Sequence, residues 1–173
     1  MVFAQHQAPQ SIVWIWKSKC TPRLKFFMWL LQADRLNTRN LLKRKGHPQL
    51  QQSDHCICVL CNREEETQDH LFFDCIFSKR CWRLLHIHWQ QNPIVHERIK
   101  IAKNSYHQPF FMEIFTIAAW EIWRIRNEKI FDNRQPTLQH WVMNFREQII
   151  LHLHRVPIGL RQLIQSWFDL LFV

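Results

Sequence analysis

The sequence predicts a mainly α-helical fold, and three observations carry that expectation. Only two of its 173 residues are glycine, too few for a turn-rich β architecture or a phosphate-cradling loop. Apolar residues recur at three- and four-residue intervals in successive stretches that prolines separate. One run, Cys58 to Cys75, reads CVLCNREEETQDHLFFDC and gathers thiols and an imidazole at close spacing.

That run organises the rest of the chain. Cys58 and Cys61 form a CxxC pair, eight residues separate it from His70, and four more separate His70 from Cys75. Two residues between cysteines allow a tight turn that aims both sulfurs at one point, and a His and a Cys on the next element complete a tetrahedron. Thiolates and a neutral imidazole suit Zn2+, and four protein ligands leave no open position for water. The spacing therefore predicts a small helical domain built around one structural CCHC zinc site. Two alternatives stand beside it: the cysteines as ordinary buried side chains, or as disulfides. Within the zinc reading, CICVLC offers Cys56 in place of Cys58, and His55 is a weaker substitute still.

The first predicted helix, Ser11 to Lys17, places Ile12, Ile15 and Trp16 on one face and is broken by Cys20 to Pro22. In the second, Arg23 to Gln32, Leu24, Phe26, Phe27, Trp29, Leu30 and Leu31 make more than half the circumference apolar, which predicts burial on two sides. Core packing explains those aromatics, with base stacking as the minority alternative. Asn37 or Thr38 caps a third helix, Arg39 to Lys45, and Gly46 suits its C′ position. His47 to Gln52 reads as a loop into the zinc run.

Thr67 caps a short helix, Gln68 to Phe73, that presents His70 to the metal. Ser78 caps the next, to about His88, with Cys81, Trp82, Leu85 and Trp89 on one side and Trp82 against the zinc cluster. Cys20 and Cys81 read as core positions. Asn92 and Pro93 mark the most natural boundary, giving a domain over residues 11–90 and a helical region over 94–173. The second region holds Val95 to Lys103, a long aromatic helix over 108–131, Thr137 to His154, and a terminal helix from Leu160 to Phe172 beyond Pro157 and Gly159. Leu163, Ile164, Trp167, Leu170 and Leu171 make that last helix amphipathic. The pairs His86/His88 and His152/His154 lie two residues apart, on different helix faces, and do not suit a shared metal.

Charge is unevenly spread. Residues 1–50 carry a net +8, residues 51–75 a net −5 and residues 76–173 a net +6. A basic first third beside a metal module suits phosphate binding and equally suits a solvated surface. The best cationic contact is the third helix with Arg39, Lys43, Arg44 and Lys45, joined by Lys25 and Arg35. Lysines at a helix C-terminus also simply complement its dipole. The N-terminal MVFAQHQAP lacks the features of a secretory signal, and the most apolar stretch, Pro109 to Trp123, is interrupted by Glu113 and Glu121 and is too short for a bilayer. No membrane span is expected. Six cysteines without an export signal point to a reducing compartment, nucleus or cytoplasm.

The zinc run also resembles the zinc-binding domain found downstream of the polymerase in reverse transcriptases of plant non-LTR (LINE-type) retroelements. Trp14, Ile15, Trp16, Lys17, Pro22, Lys25, Phe27 and Trp29 carry the first part of the likeness. Arg35, Leu36, Thr38 and Leu41 continue it, followed by Cys58, Cys61, Glu66, Thr67, His70, Leu71, Phe72, Cys75 and Trp82. AAWEIWRIRNEKIF, Ala118 to Phe131, is similar to the Trp-x-x-Trp, Arg-Asn helix that often trails this domain. The resemblance covers about residues 12 to 131. It implies a retroelement-derived piece without polymerase or endonuclease, associated with template RNA or target DNA.

Enzymatic motifs are not seen. The only tyrosine, Tyr106, precedes His107, so no Tyr-x-Asp-Asp pair exists, and Asp34, Asp132 and Asp169 are too scattered for a ribonuclease H core. The His-x-Glu and Pro-Cys-x-x-Cys pattern of zinc deaminases is missing too. The expectation is a non-catalytic, nucleic-acid-binding zinc module. Two other readings compete with it: a zinc-stabilised interaction module whose apolar C-terminal helices dock a protein, and a relic without function.

Overall fold

The computed structural model describes residues 9–50, 56–92 and 94–172. The readings placed on the N-terminal residues, on Gln51 and Gln52 of the loop, on His55 and on Pro93 lie outside the described residues. Eight α-helices are described, with no strand among the described residues. They are α1 (Gln10–Lys17), α2 (Pro22–Gln32), α3 (Arg39–Arg44), α4 (Ile76–Leu84), α5 (Val95–Tyr106), α6 (Phe111–Phe131), α7 (Leu138–Leu153) and α8 (Ile158–Leu171). A 3₁₀ turn, Pro48–Leu50, and a π-helical turn, His70–Asp74, complete the set. No helix among the described residues is long and apolar enough to cross a membrane.

Local chemistry fixes many boundaries. Thr21, Thr38 and Thr137 each accept a hydrogen bond from a first-turn N–H, capping α2, α3 and α7. Of the two cap candidates for α3, Thr38 is therefore the one used. At its other end Gly46 takes φ +80°, its N–H bonds Lys43 O at 2.9 Å and that of His47 bonds Leu42 O at 3.0 Å. That Schellman arrangement needs a left-handed residue, which glycine adopts without strain.

The long helix α6 is the centre of the fold. It runs buried from Phe111 to Ala119 and packs on α2, α4, α5 and α7. Phe27 of α2 meets Trp120 edge-on at 5.2 Å, and Phe115 meets Trp82 of α4 at 5.7 Å. Trp141 of α7 stacks on Phe145 at 5.1 Å while its Nε1 donates to Ala118 O. One contiguous core thus runs from Ile15 to Phe168, crossing the Asn92 region. Glu113, buried in α6, accepts from the Lys19 N–H at 2.9 Å and holds the turn between α1 and α2.

Several expectations are corrected. Only one side of α2 is buried, through Leu24, Phe27, Met28 and Leu31, whereas Phe26 and Trp29 are 55% and 39% exposed and stack on each other. In α1 the buried side chains are Ser11 and Ile15, and Trp16 turns outward. Ser78 does not cap α4, which starts at Ile76; its hydroxyl donates to Leu71 O, and the chain leaves the helix after Leu84 because His86 takes φ +55°. Gly159 lies inside the first turn of α8, whose buried face is Ile164 and Phe168, leaving Leu163 and Leu170 exposed. In α1, α2 and α8 helical spacing identifies an apolar stripe wider than the surface available to cover it.

A buried ion pair joins the long helix to the metal-binding run. Arg126 of α6 meets Glu66 at 2.6 Å, and the two side chains are 4% and 0% exposed. Glu66 Oε1 also accepts the Arg39 backbone N–H at 2.9 Å, and Arg126 Nη2 donates to Asn37 O. Removing one partner leaves a buried, unanswered charge, so Arg126→Ala should destabilise the chain by roughly 3–5 kcal/mol in denaturant unfolding. The double variant Glu66→Gln/Arg126→Met should recover part of that loss.

Glu121, also on α6, is fully buried, and desolvation pushes its pKa up to about 7. A raised carboxyl pKa means the folded state binds more protons between about pH 4.5 and 7, so this contribution is complete in acid and fades as pH rises through 7. Glu121→Gln should therefore stabilise more at pH 8 than at pH 5, with a difference on the order of 5 °C in Tm.

Candidate metal centre

The metal-binding run folds as a hairpin followed by a helical turn. An isolated antiparallel bridge pairs Ile57 with Glu65, and Cys58 N donates to Glu64 O at 2.8 Å. Between them Asn62 takes φ +53° and its N–H closes on Cys58 O, so Cys58 and Cys61 lie on one tight turn. The Thr67 hydroxyl accepts from His70 N at 3.0 Å, as the capping role of Thr67 requires.

Beyond His70 the helix widens. Cys75 N bonds to His70 O at 2.6 Å, five residues back, which makes the segment His70–Asp74 a π turn. Cys75 then takes φ −57°, ψ 133° and serves as the N-cap of α4. Leu71, Phe72 and Phe73 of the turn are buried, and Trp82 Nε1 donates to Phe72 O at 2.6 Å. Trp82 thus packs against the element that carries His70, as expected.

These elements bring the ligand atoms of Cys58, Cys61, His70 and Cys75 within 4.8 Å of one another. Cys58 Sγ lies 3.9 Å from Cys75 Sγ, and Cys61 Sγ lies 3.3 Å from His70 Nε2. A zinc tetrahedron with Zn–S near 2.3 Å and Zn–N near 2.0 Å has edges of roughly 3.8 Å between sulfurs and roughly 3.5 Å from sulfur to nitrogen. The donor set and its spacing fit one Zn2+ with no position for a fifth ligand.

The competing readings are resolved here. None of the six cysteines is in a disulfide, and Cys20 and Cys81 are buried core residues outside the four-ligand group. Cys56 is buried too, but its thiol points to Leu50 O at 3.5 Å and takes no place among the four. The hairpin register decides this, since the bridge at Ile57 leaves Cys56 outside the turn that Cys58 and Cys61 close.

Electrostatics couple the ligands to one another. The hydrogen bond from Cys58 holds the Cys75 thiol down at about 4, with the His70 ring and the backbone N–H groups of Phe77 and Ser78 adding to the effect against burial. The Cys58 thiol moves up because it donates that bond and is buried. Burial disfavours charge on His70, yet its contacts with Cys75 and Cys61 outweigh this and push its pKa up to about 9. Zn2+ binding would displace the protons that Cys58 and His70 carry in this arrangement, so its affinity should fall in acid.

Sequence reasoning missed one neighbour. Glu64 Oε2 lies 3.3 Å from His70 Nδ1, off hydrogen-bond alignment but within ion-pair range. A carboxylate behind a ligating imidazole fixes its orientation and raises its basicity. The EEE triplet between the ligand pairs was the available signal.

The basic residues singled out in the sequence fall into two places. Arg39, Lys43, Arg44 and Lys45 share α3 and its cap, beside the hairpin, and Arg35 is exposed on the preceding turn. Arg39 is committed inward: its guanidinium donates to Ile57 O at 2.9 Å. Arg44 pairs with Asp34 at 2.8 Å, and Lys45 reaches Asn37 Oδ1 at 3.2 Å. Lys25 stands apart on α2, with its ammonium on Trp16 O at 2.9 Å.

Residues 1–82 match the family described as zinc-binding in reverse transcriptase. No curated protein and no solved structure was found to match the chain. The matched segment contains all four ligands and α1 to α3, and ends within α4.

Purified protein should carry one zinc per chain by elemental analysis. Cys58→Ser and His70→Ala should lose it together with much of the helical circular dichroism, since structural zinc supplies on the order of 10 kcal/mol of folding free energy. Cys56→Ser should keep it.

Proposed function

We propose that a chain whose residues 1–82 form a zinc-binding domain of the reverse-transcriptase type is a retroelement-derived module that binds RNA or DNA and performs no catalysis on its own. One observation carries this reading: the metal hairpin holds the cationic helix α3 in a fixed position. Glu66 accepts the Arg39 N–H, Asn40 N donates to Glu66 O at 3.2 Å, and the Arg39 side chain grips Ile57 O. With its N-terminus anchored, α3 offers Lys43, Arg44 and Lys45 as one group, and Arg35 stands exposed nearby. Residues 1–50 carry the net +8 that supports phosphate contact. A four-ligand zinc has no site for substrate water, which supports a structural role for the metal. Thiol ligands favour a reducing compartment, nucleus or cytoplasm.

A second reading rests on a different surface. Met143, Ile150 and Leu151 of α7 and Ile158, Leu163 and Leu170 of α8 are exposed. Such apolar side chains favour a protein partner.

Salt dependence separates the two. Affinity for single-stranded RNA and duplex DNA should fall linearly in log–log form as salt rises, and Lys43→Gln/Arg44→Gln/Lys45→Gln should flatten the slope by about 2. Fluorescence anisotropy across a salt series is the measurement. Binding that ignores salt, or a slope unchanged in the triple variant, would reject the role given to α3.

A further inference from the structure

Where α2 begins, α6 passes and α7 ends, the fold leaves a cleft of about 430 Å³. Its polar lining consists of Thr21, Arg23, Arg124, Gln148, His152 and Arg155, with no carboxylate among the lining residues. A cleft of this size is in the range that holds small ligands.

The three arginines are unevenly answered. Arg124 has Glu121 at 3.3 Å and Glu128 at 3.5 Å, both on its own helix. Arg23 and Arg155 have no carboxylate within ion-pair distance among the described residues. Instead the Arg23 guanidinium sits 4.6 Å over the Trp120 ring, which holds its charge in place without cancelling it. Two uncompensated cations facing one concavity focus a positive potential there.

A buried group points the same way. His152 is 3% exposed and its Nε2 has no hydrogen-bond partner. Burial, aided by the Arg155 charge, pushes its pKa down to about 4, so the ring is neutral at pH 7. A buried nitrogen without a partner is costly, and a ligand oxygen or hydroxyl would satisfy it. The N-terminal turn of α2, an eleven-residue helix, also borders the cleft and adds its dipole.

We propose that this cleft binds a phosphate group, clamped between Arg23 and Arg155, with Thr21 and Gln148 as neutral hydrogen-bonding partners. The phosphate comes either from the end of a nucleic-acid strand, which rests on the function proposed above, or from a free phosphate compound. The zinc-loaded full chain is titrated with pyrophosphate by calorimetry, and with one oligonucleotide bearing or lacking a terminal phosphate by anisotropy. Arg23→Gln/Arg155→Gln and the triple α3 variant are run alongside; both cleft arginines are exposed, and zinc content and circular dichroism verify the fold.

Pyrophosphate should bind the wild type, bind about tenfold or more weakly to the cleft variant, and bind the α3 variant unchanged. A preference for the terminal phosphate that vanishes in the cleft variant identifies a strand end as the source. Pyrophosphate binding without that preference identifies a free phosphate compound. Pyrophosphate binding that is absent, or equal in wild type and cleft variant, overturns the proposal. Absent oligonucleotide binding with pyrophosphate binding retained overturns the nucleic-acid reading and leaves the cleft standing.

Discussion

Glu66 is a carboxylate with no solvent exposure, and the fold around the metal depends on how its charge is met. Taking a carboxylate out of water costs several kcal/mol, so it persists only where charge and hydrogen bonds replace the lost water. Arg126 supplies both, through Nε and Nη2, and the Arg39 N–H adds a third donor. Three segments distant in sequence therefore close on a single side chain: the hairpin of Cys58 and Cys61, the start of α3, and the C-terminal half of the long helix α6. The metal and the ion pair constrain the same hairpin from opposite ends.

This arrangement explains why α6 is central although it lies beyond the matched residues 1–82. Arg126 ties its C-terminal half to the hairpin, and Phe111, Phe115 and Ala118 fill the core beneath α4 and α7. Neighbouring positions serve different tasks on different faces. Arg126 turns to Glu66, while Arg124, two residues earlier, turns to the cleft between α2 and α7.

The metal ligands were legible in the sequence because their geometry is local. A CxxC turn followed by His and Cys on one short element encodes a tetrahedron within eighteen residues, and Thr67, Thr38 and Gly46 announced their caps in the same local way. What lay beyond local geometry was not legible. Periodicity marks Trp16, Phe26 and Trp29 as apolar, but only the positions of other helices decide that they stay exposed. The CxxC spacing favoured Cys58 over Cys56, but the hairpin register that enforces the choice, with Ile57 bridged to Glu65, appears only in the fold. Glu66 and Arg126 stand sixty residues apart, and nothing in either neighbourhood names the other. The arginines of the cleft come from α2, α6 and the end of α7, and only the packing of those helices brings them together.

The π turn at His70 makes the metal site sensitive to chain length in a way that side-chain chemistry is not. One extra residue is accommodated between His70 and Cys75, which the bond from Cys75 N to His70 O records. Deleting any residue from Leu71 to Asp74 would convert the segment into an ordinary α turn with three residues instead of four between His70 and Cys75. Cys75 would still follow His70 by about one turn, but the buried Leu71, Phe72 and Phe73 between them would be re-registered against the core. A substitution in the turn changes one side chain, whereas a change in its residue count shifts the whole buried stretch relative to the ligands that flank it. For this centre, an insertion or deletion is a harsher change than a substitution.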